Sequence, residues 1–118
     1  MKVLVCGSRF FDAEHGRERV RSRLDQLLPE KPLLIVGGAP GPDEFAREWA
    51  VEHNISHLVV YAHWDRDGKK AGILRNLRML ALKPGLVLAF WNGTSRGTKH
   101  TVTEAKKRGI AVEVISDK

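Results

Sequence analysis

Leu33-Leu34-Ile35-Val36-Gly37-Gly38-Ala39-Pro40-Gly41-Pro42-Asp43 runs from four apolar residues into a glycine-rich turn and then to a proline. A strand covered on both faces reads as an unbroken apolar run. Proline is preorganised for the first turn of a helix. The stretch therefore spells strand, tight turn and helix, the opening of a βα unit. Two further apolar runs break in the same way: Val3–Cys6 into Gly7-Ser8-Arg9, and Leu86–Phe90 into a turn that holds Asn92-Gly93-Thr94-Ser95-Arg96-Gly97-Thr98.

Strand candidates begin near residues 3, 33, 58, 86 and 111, and each interval contains a helical pattern. That spacing is the length of a βα unit. Helices are expected from about 14 to 28, from Pro42, from near Gly72, and from Gly97 to Gly109. Their sheet-facing stripes are Val20, Leu24, Leu27 and Leu28, then Phe45, Ala46, Trp49 and Ala50, then Ile73, Leu77, Leu80 and Ala81. Ala111–Ile115 carries Glu113 and suits an edge strand. Right-handed crossovers then give an α/β, Rossmann-like, doubly wound parallel sheet ordered 3-2-1-4-5 in a single domain spanning residues 1–118.

The chain has 118 residues, a formal net charge of +6 and one cysteine, Cys6. A lone cysteine at a strand end reads as a small buried hydrophobe. No apolar run approaches the ~20 residues that span a bilayer, and Met1-Lys2 leads directly into a strand, so a soluble, cytoplasmic protein without a membrane partner is expected. The positive balance favours anionic partners. Arg17, Arg19, Arg21 and Arg23 alternate along the first helix, which scatters charge around it instead of forming one stripe.

Order 3-2-1-4-5 brings all three glycine turns to the carboxyl edge, where ligands bind in open α/β sheets. Candidate ligand contacts there are Gly7, Ser8 and Arg9; Gly37, Gly38, Ala39, Gly41 and Asp43; and Asn92, Gly93, Thr94, Gly97 and Thr98. Hydroxyls and free backbone N–H groups at a helix start suit a phosphate. Arg75, beside the core stripe of the third helix, is placed to clamp one bidentately, with Asn76 next to it. Trp64, an aromatic in a long polar loop, and Trp91 are stacking candidates, with packing under the loop an equal reading for Trp91. Neither GxGxxG nor GxxxxGK[S/T] occurs, which argues against a nicotinamide dehydrogenase and a P-loop NTPase. The five histidines show no metal-ligand spacing with Cys6 or carboxylates, so no metal and no cofactor is expected.

Together these motifs resemble the SLOG superfamily, which unites Smf/DprA-type and LOG-type proteins, and within it the small stand-alone YspA-type group of bacteria and phages. The resemblance rests on Gly7-Ser8-Arg9, Gly37-Gly38-Ala39-x-Gly41-x-Asp43, Trp64 with Gly68-Lys69 and Ala71-Gly72, Arg75-Asn76-x-x-Met79, and Gly97-Thr98. It implies a Rossmann-like fold with a site for a nucleotide or nucleotide-derived ligand. LOG-type phosphoribohydrolases carry Pro-Gly-Gly-x-Gly-Thr-x-x-Glu, whose glutamate acts on the N-glycosidic bond. Here Thr101 stands at that offset, Asn92-Gly93 replaces the paired glycines, and Thr94-Ser95-Arg96 is inserted before Gly97.

The leading expectation is thus a nucleotide-binding sensor or adaptor domain without robust catalysis, and a homo-oligomer. The alternative is a nucleoside-monophosphate phosphoribohydrolase that uses Arg75 with a displaced carboxylate, Glu104 or Asp43. A third reading is single-stranded nucleic-acid binding, as in the DNA-processing branch.

Overall fold

A computed structural model describes residues 1–117. Its sheet has five parallel strands, β1 (Lys2–Gly7), β2 (Leu33–Val36), β3 (His57–Val59), β4 (Leu86–Trp91) and β5 (Ala111–Ser116), in the order β3-β2-β1-β4-β5. Helices α1 (Gly16–Asp25) and α2 (Pro42–Glu52) cover one face. Helices α4 (Ala71–Ala81) and α5 (Arg96–Lys107) cover the other, and a four-residue α3 (Trp64–Asp67) precedes α4.

Side-chain alternation along the strands divides the core. Val3 and Val5 point with Leu34, Val36, Leu88 and Phe90 toward α1 and α2, where Trp49 is fully buried. Leu4 and Cys6 point with Ile35, Val87 and Ala89 toward Met79, Leu80, Val102 and Ala105 of α4 and α5. The Trp49 indole N–H, which burial obliges to find an acceptor, donates to Asp25 at 2.8 Å and ties α2 to α1.

Three helices differ in bounds or inward face from the sequence expectation. α1 begins at Gly16 because Phe11–His15 form a turn in which Asp12 accepts the His15 N–H, and it ends at Asp25. Leu28-Pro29-Glu30 is a separate 3-10 turn, followed by Lys31 in the left-handed region. α4 starts at Ala71 and its inward face is Asn76, Met79 and Leu80, whereas Ile73 and Ala81 are exposed. An apolar count cannot anticipate a polar residue facing inward, and Asn76 does so because its amide is bonded on both ends. α5 starts at Arg96, with the Ser95 hydroxyl accepting from Thr98 N as its cap, so Gly97 lies within the first turn.

The alternating arginines of α1 are not a free cationic surface. Arg17 and Arg21 meet Glu48 and Glu52 of α2, both pairs four residues apart. Two residues round the helix, Arg19 bonds Asp12 and the Ser116 carbonyl, and Arg23 grips Glu113 of β5 with two bonds of 2.7 and 3.0 Å. Period-two arginine is here a way of stitching one helix to neighbours on both sides.

Candidate functional site

At the carboxyl edge a cleft of about 240 Å³ opens between the ends of β1 and β4, roofed by α4 and α5. Asp43, in the first turn of α2, reaches back so that its Oδ2 accepts the N–H groups of Gly37 (3.1 Å) and Ala39 (3.2 Å). Burial pushes its carboxyl up to about 6, against the opposing pull of these two N–H groups and the Arg75 guanidinium. Burial likewise raises the Cys6 thiol, so a neutral sulfhydryl lines the cleft floor.

Arg75 crosses the gap between helix and turn. Its Nη1 donates to the Gly37 carbonyl and its Nε to Asn76 Oδ1 at 3.0 Å. Asn76 Nδ2 in turn donates to the Gly97 carbonyl at 3.4 Å. One chain of hydrogen bonds therefore connects the turn after β2, helix α4 and the start of α5. The Arg75 Nη2 makes no hydrogen bond among the described residues, and Arg75 forms part of the cleft wall.

The turn after β4 is built around Asn92. Its Oδ1 accepts from the Thr94 N–H, the Thr94 hydroxyl, the Ser95 N–H and the Ser8 hydroxyl at 2.9 to 3.1 Å. Ser8 Oγ accepts the Asn92 N–H, and Ser8 N donates to the Phe90 carbonyl. These bonds fix the loop so that α5 begins at the cleft. The backbone N–H groups of Arg96 and Gly97 find no partner among the described residues. Thr98 and Thr101 are buried there, the Thr101 hydroxyl donating to the Gly97 carbonyl at 3.2 Å.

Of the residues expected from sequence, Gly7, Arg9, Ala39, Asp43, Arg75, Asn76, Gly97 and Thr98 line this cleft. Ser8, Asn92 and Thr94 are committed to each other as the frame of the loop. Gly37 and Gly41 leave room for neighbouring protein atoms: a Cβ on Gly37 would meet Arg75 and Asp43, and one on Gly41, at φ +92°, would meet the Arg9 carbonyl at 2.8 Å. Gly38 makes room for Tyr61, and Gly93 turns the chain at φ +87° in open space. Trp64 is 59% exposed and lies outside the cleft wall. Its ring tip and Arg75 Nη2 nonetheless both fall within 4 Å of the point that a Gly72 Cβ would occupy. Trp91 donates its indole N–H to the Ser95 carbonyl and so packs under the loop.

Glu104 sits one turn further along α5, pairs with Lys107 at 3.5 Å and does not line the cleft. Among wall residues not nominated as contacts are Ser95 and Thr101. Ser95 reads as a hydroxyl of the Gly93–Thr98 loop or as a cap, and Thr101 only as the residue standing where LOG-type phosphoribohydrolases carry a glutamate. Their signal in sequence is helical spacing: Gly97 and Thr101 are one turn apart on the same face of α5.

A five-stranded doubly wound sheet with a polar cleft at its carboxyl edge defines a Rossmann-like domain. A family model described as the YspA, cpYpsA-related SLOG family matches residues 1–66, and the chain belongs to that family. It is also 37% identical over 125 residues to the Gene 61 protein of Mycobacterium phage D29, covering 99% of this chain and 98% of that one. No helix among the described residues is long and apolar enough to cross a membrane.

Proposed function

We propose that the protein binds the phosphate end of a nucleotide or nucleotide-derived small molecule at the β1–β4 cleft and acts as a sensor or adaptor domain. Membership of the SLOG family supports a nucleotide-related role in general terms. The observation that carries the finer reading is the set of unused donors meeting in one cleft. The unpaired N–H of Gly97, in the first turn of a twelve-residue helix, and the Arg75 guanidinium belong to one wall that also holds Thr98. A helix N-terminus and a planar guanidinium both favour an anion with several oxygens.

Calorimetry with nucleoside 5′-monophosphates and the matching nucleosides tests this, alongside mass spectrometry of whatever small molecule co-purifies. Removing the 5′-phosphate should weaken binding by at least tenfold. Equal affinity with and without it would move the phosphate out of this cleft. A steep loss of affinity with salt for single-stranded oligonucleotides, exceeding the effect on mononucleotides, would instead support nucleic-acid binding.

One observation keeps the hydrolase reading as the second choice. Asp43 is a buried carboxylate in the cleft with its pKa moved toward neutrality, a common mark of an acid–base group. Its Oδ2 is already engaged by two N–H groups, which favours a structural duty. Incubation with nucleoside monophosphates should release no free base above background. Steady release that stops in Asp43→Asn would make the protein a phosphoribohydrolase.

We also infer a homo-oligomer, with a second copy covering the exposed Ile73 and Leu74 of α4. Light scattering at high micromolar concentration should give a multiple of the chain mass. A monomer there would rule the assembly out.

A further inference from the structure

A second pocket of about 240 Å³ lies on the other side of the turn after β2. It shares Ala39, Pro40 and Asp43 with the first cleft, so this turn is a ridge between the two. Its floor is Val36 and Val59 at the ends of β2 and β3. Tyr61 stands at its side, 63% exposed, with its ring 2.9 Å from where a Gly38 Cβ would be. At φ +73°, Gly38 gives up a side chain and the tyrosine ring takes that space, one side against the backbone and the rest open. Arg78 holds the platform in place by donating to the Tyr61 carbonyl at 2.7 Å.

The opposite side is one turn of α2 carrying Glu44 and Arg47. Nearly every other arginine of α1 and α2 is paired, but Arg47 and Glu44 make no hydrogen bond or ion pair among the described residues. A set of donors and a set of acceptors thus stand unused beside an exposed aromatic ring.

We propose that this pocket is a nucleobase subsite, in which the base stacks on Tyr61 while Arg47 and Glu44 bond the acceptors and donors of its edge. Aromatic rings accept any base face, and a base edge presents both kinds of hydrogen-bonding group. Complete small-molecule sites occupy roughly 300–1,000 Å³. Each pocket alone falls short of that range, while the two together fall within it. The ligand would then lie across Pro40, base toward β3 and phosphate toward α5. Only this orientation rests on the reading of the first cleft as the phosphate end; the subsite stands on its own residues.

The test is titration of the full chain, by calorimetry and by amide chemical shifts, with adenosine, guanosine and inorganic phosphate. Tyr61→Ala and Arg47→Ala should each weaken nucleoside binding by about tenfold or more, the size expected for one stacked base. Both should leave phosphate binding unchanged, and Tyr61→Phe should retain nucleoside affinity. Both side chains are surface-facing, and circular dichroism checks that the variants fold. Nucleosides that bind Tyr61→Ala like the parent, or that do not bind the parent at all, overturn the proposal. So does loss of nucleoside binding in Gly97→Val with none in Tyr61→Ala, which puts the base in the first cleft. If phosphate fails to bind while nucleosides bind through Tyr61, the phosphate assignment of the first cleft falls and the base subsite stands.

Discussion

The glycines after β1 and β2 and the glycines after β4 look alike in sequence and do opposite things. Around Gly7 the space for a side chain is already filled: a Cβ would lie 2.5 Å from the Phe90 carbonyl oxygen and 2.7 Å from Pro42 Cγ. Gly37 and Gly41 are similarly hemmed in by Arg75, Asp43 and the Arg9 backbone. Gly93 and Gly97 have nothing within 4 Å of that position. The first group lets protein pack on protein; the second leaves room for something else. A glycine turn marks close approach, and only the third dimension says what approaches.

Ordering substitutions by their effect on folding turns this contrast into predictions. Gly7→Ala should cost the most, about 3 kcal/mol or more, because both obstructing groups belong to rigid elements. The Phe90 carbonyl is held by Ser8 N, and Pro42 by the start of α2. Chemical denaturation gives the value; a loss under about 1 kcal/mol would mean that the β1–β4 seam yields easily.

Asp43 comes next, through pH. Its carboxyl titrates near 6 in the folded chain against 3.8 as the ordinary value. A folded pKa above the unfolded one means that the native state holds the proton more tightly. This contribution is complete below about pH 4 and is lost as pH rises through 6. Relative to Asp43→Asn, whose amide oxygen still accepts from Gly37 and Ala39, the parent should lose on the order of 2–3 kcal/mol between pH 4 and 7. Parallel stability curves for the two proteins would show that burial leaves the Asp43 pKa at its unfolded value.

Most of this fold was legible in the chain. Unbroken apolar runs fixed β1, β2 and β4 as inner strands, and Glu113 marked β5 as an edge because a charge there needs a partner from only one side, which Arg23 supplies. Strand order followed from crossover handedness. The α4 register was not legible, since Asn76 earns its inward place through bonds to Arg75 and Gly97 that lie 1 and 21 residues away. The division of labour among Ser8, Asn92 and Thr94 was equally hidden. Their hydroxyls and amide suit a phosphate in composition, yet geometry turns them on one another. The Tyr61 pocket escaped for the same reason: a lone tyrosine after a three-residue strand gives no periodic signal.

Arg75 straddles the two regions, since its Nη1 is bound to the packed turn while the residue itself lines the cleft. Arg75→Ala should therefore lose about 1–2 kcal/mol of stability with its two hydrogen bonds. It should also lose about 1.5–3 kcal/mol of nucleotide affinity, the range for bonds to charged groups. Arg75→Lys cannot reproduce the fork and should recover part of the affinity at most. Parent-like binding in both variants would reduce Arg75 to a brace for the Gly37 turn.

Gly97 should show the smallest effect on folding and the largest on binding. It lies in the first turn of α5, its φ is not in the left-handed region, and a side chain there meets no protein atom. Gly97→Val should change stability by no more than about 0.5 kcal/mol, as at a surface position. The same valine would project over the unpaired N–H groups of Arg96 and Gly97, where a phosphate needs contact with the backbone itself. Nucleoside monophosphate affinity should fall about a hundredfold, an outcome opposite to that at Gly7, where folding fails first. Calorimetry and denaturation on both variants separate the cases. If Gly97→Val binds like the parent, open space beside a helix start is only open space, and the phosphate sits elsewhere along the carboxyl edge.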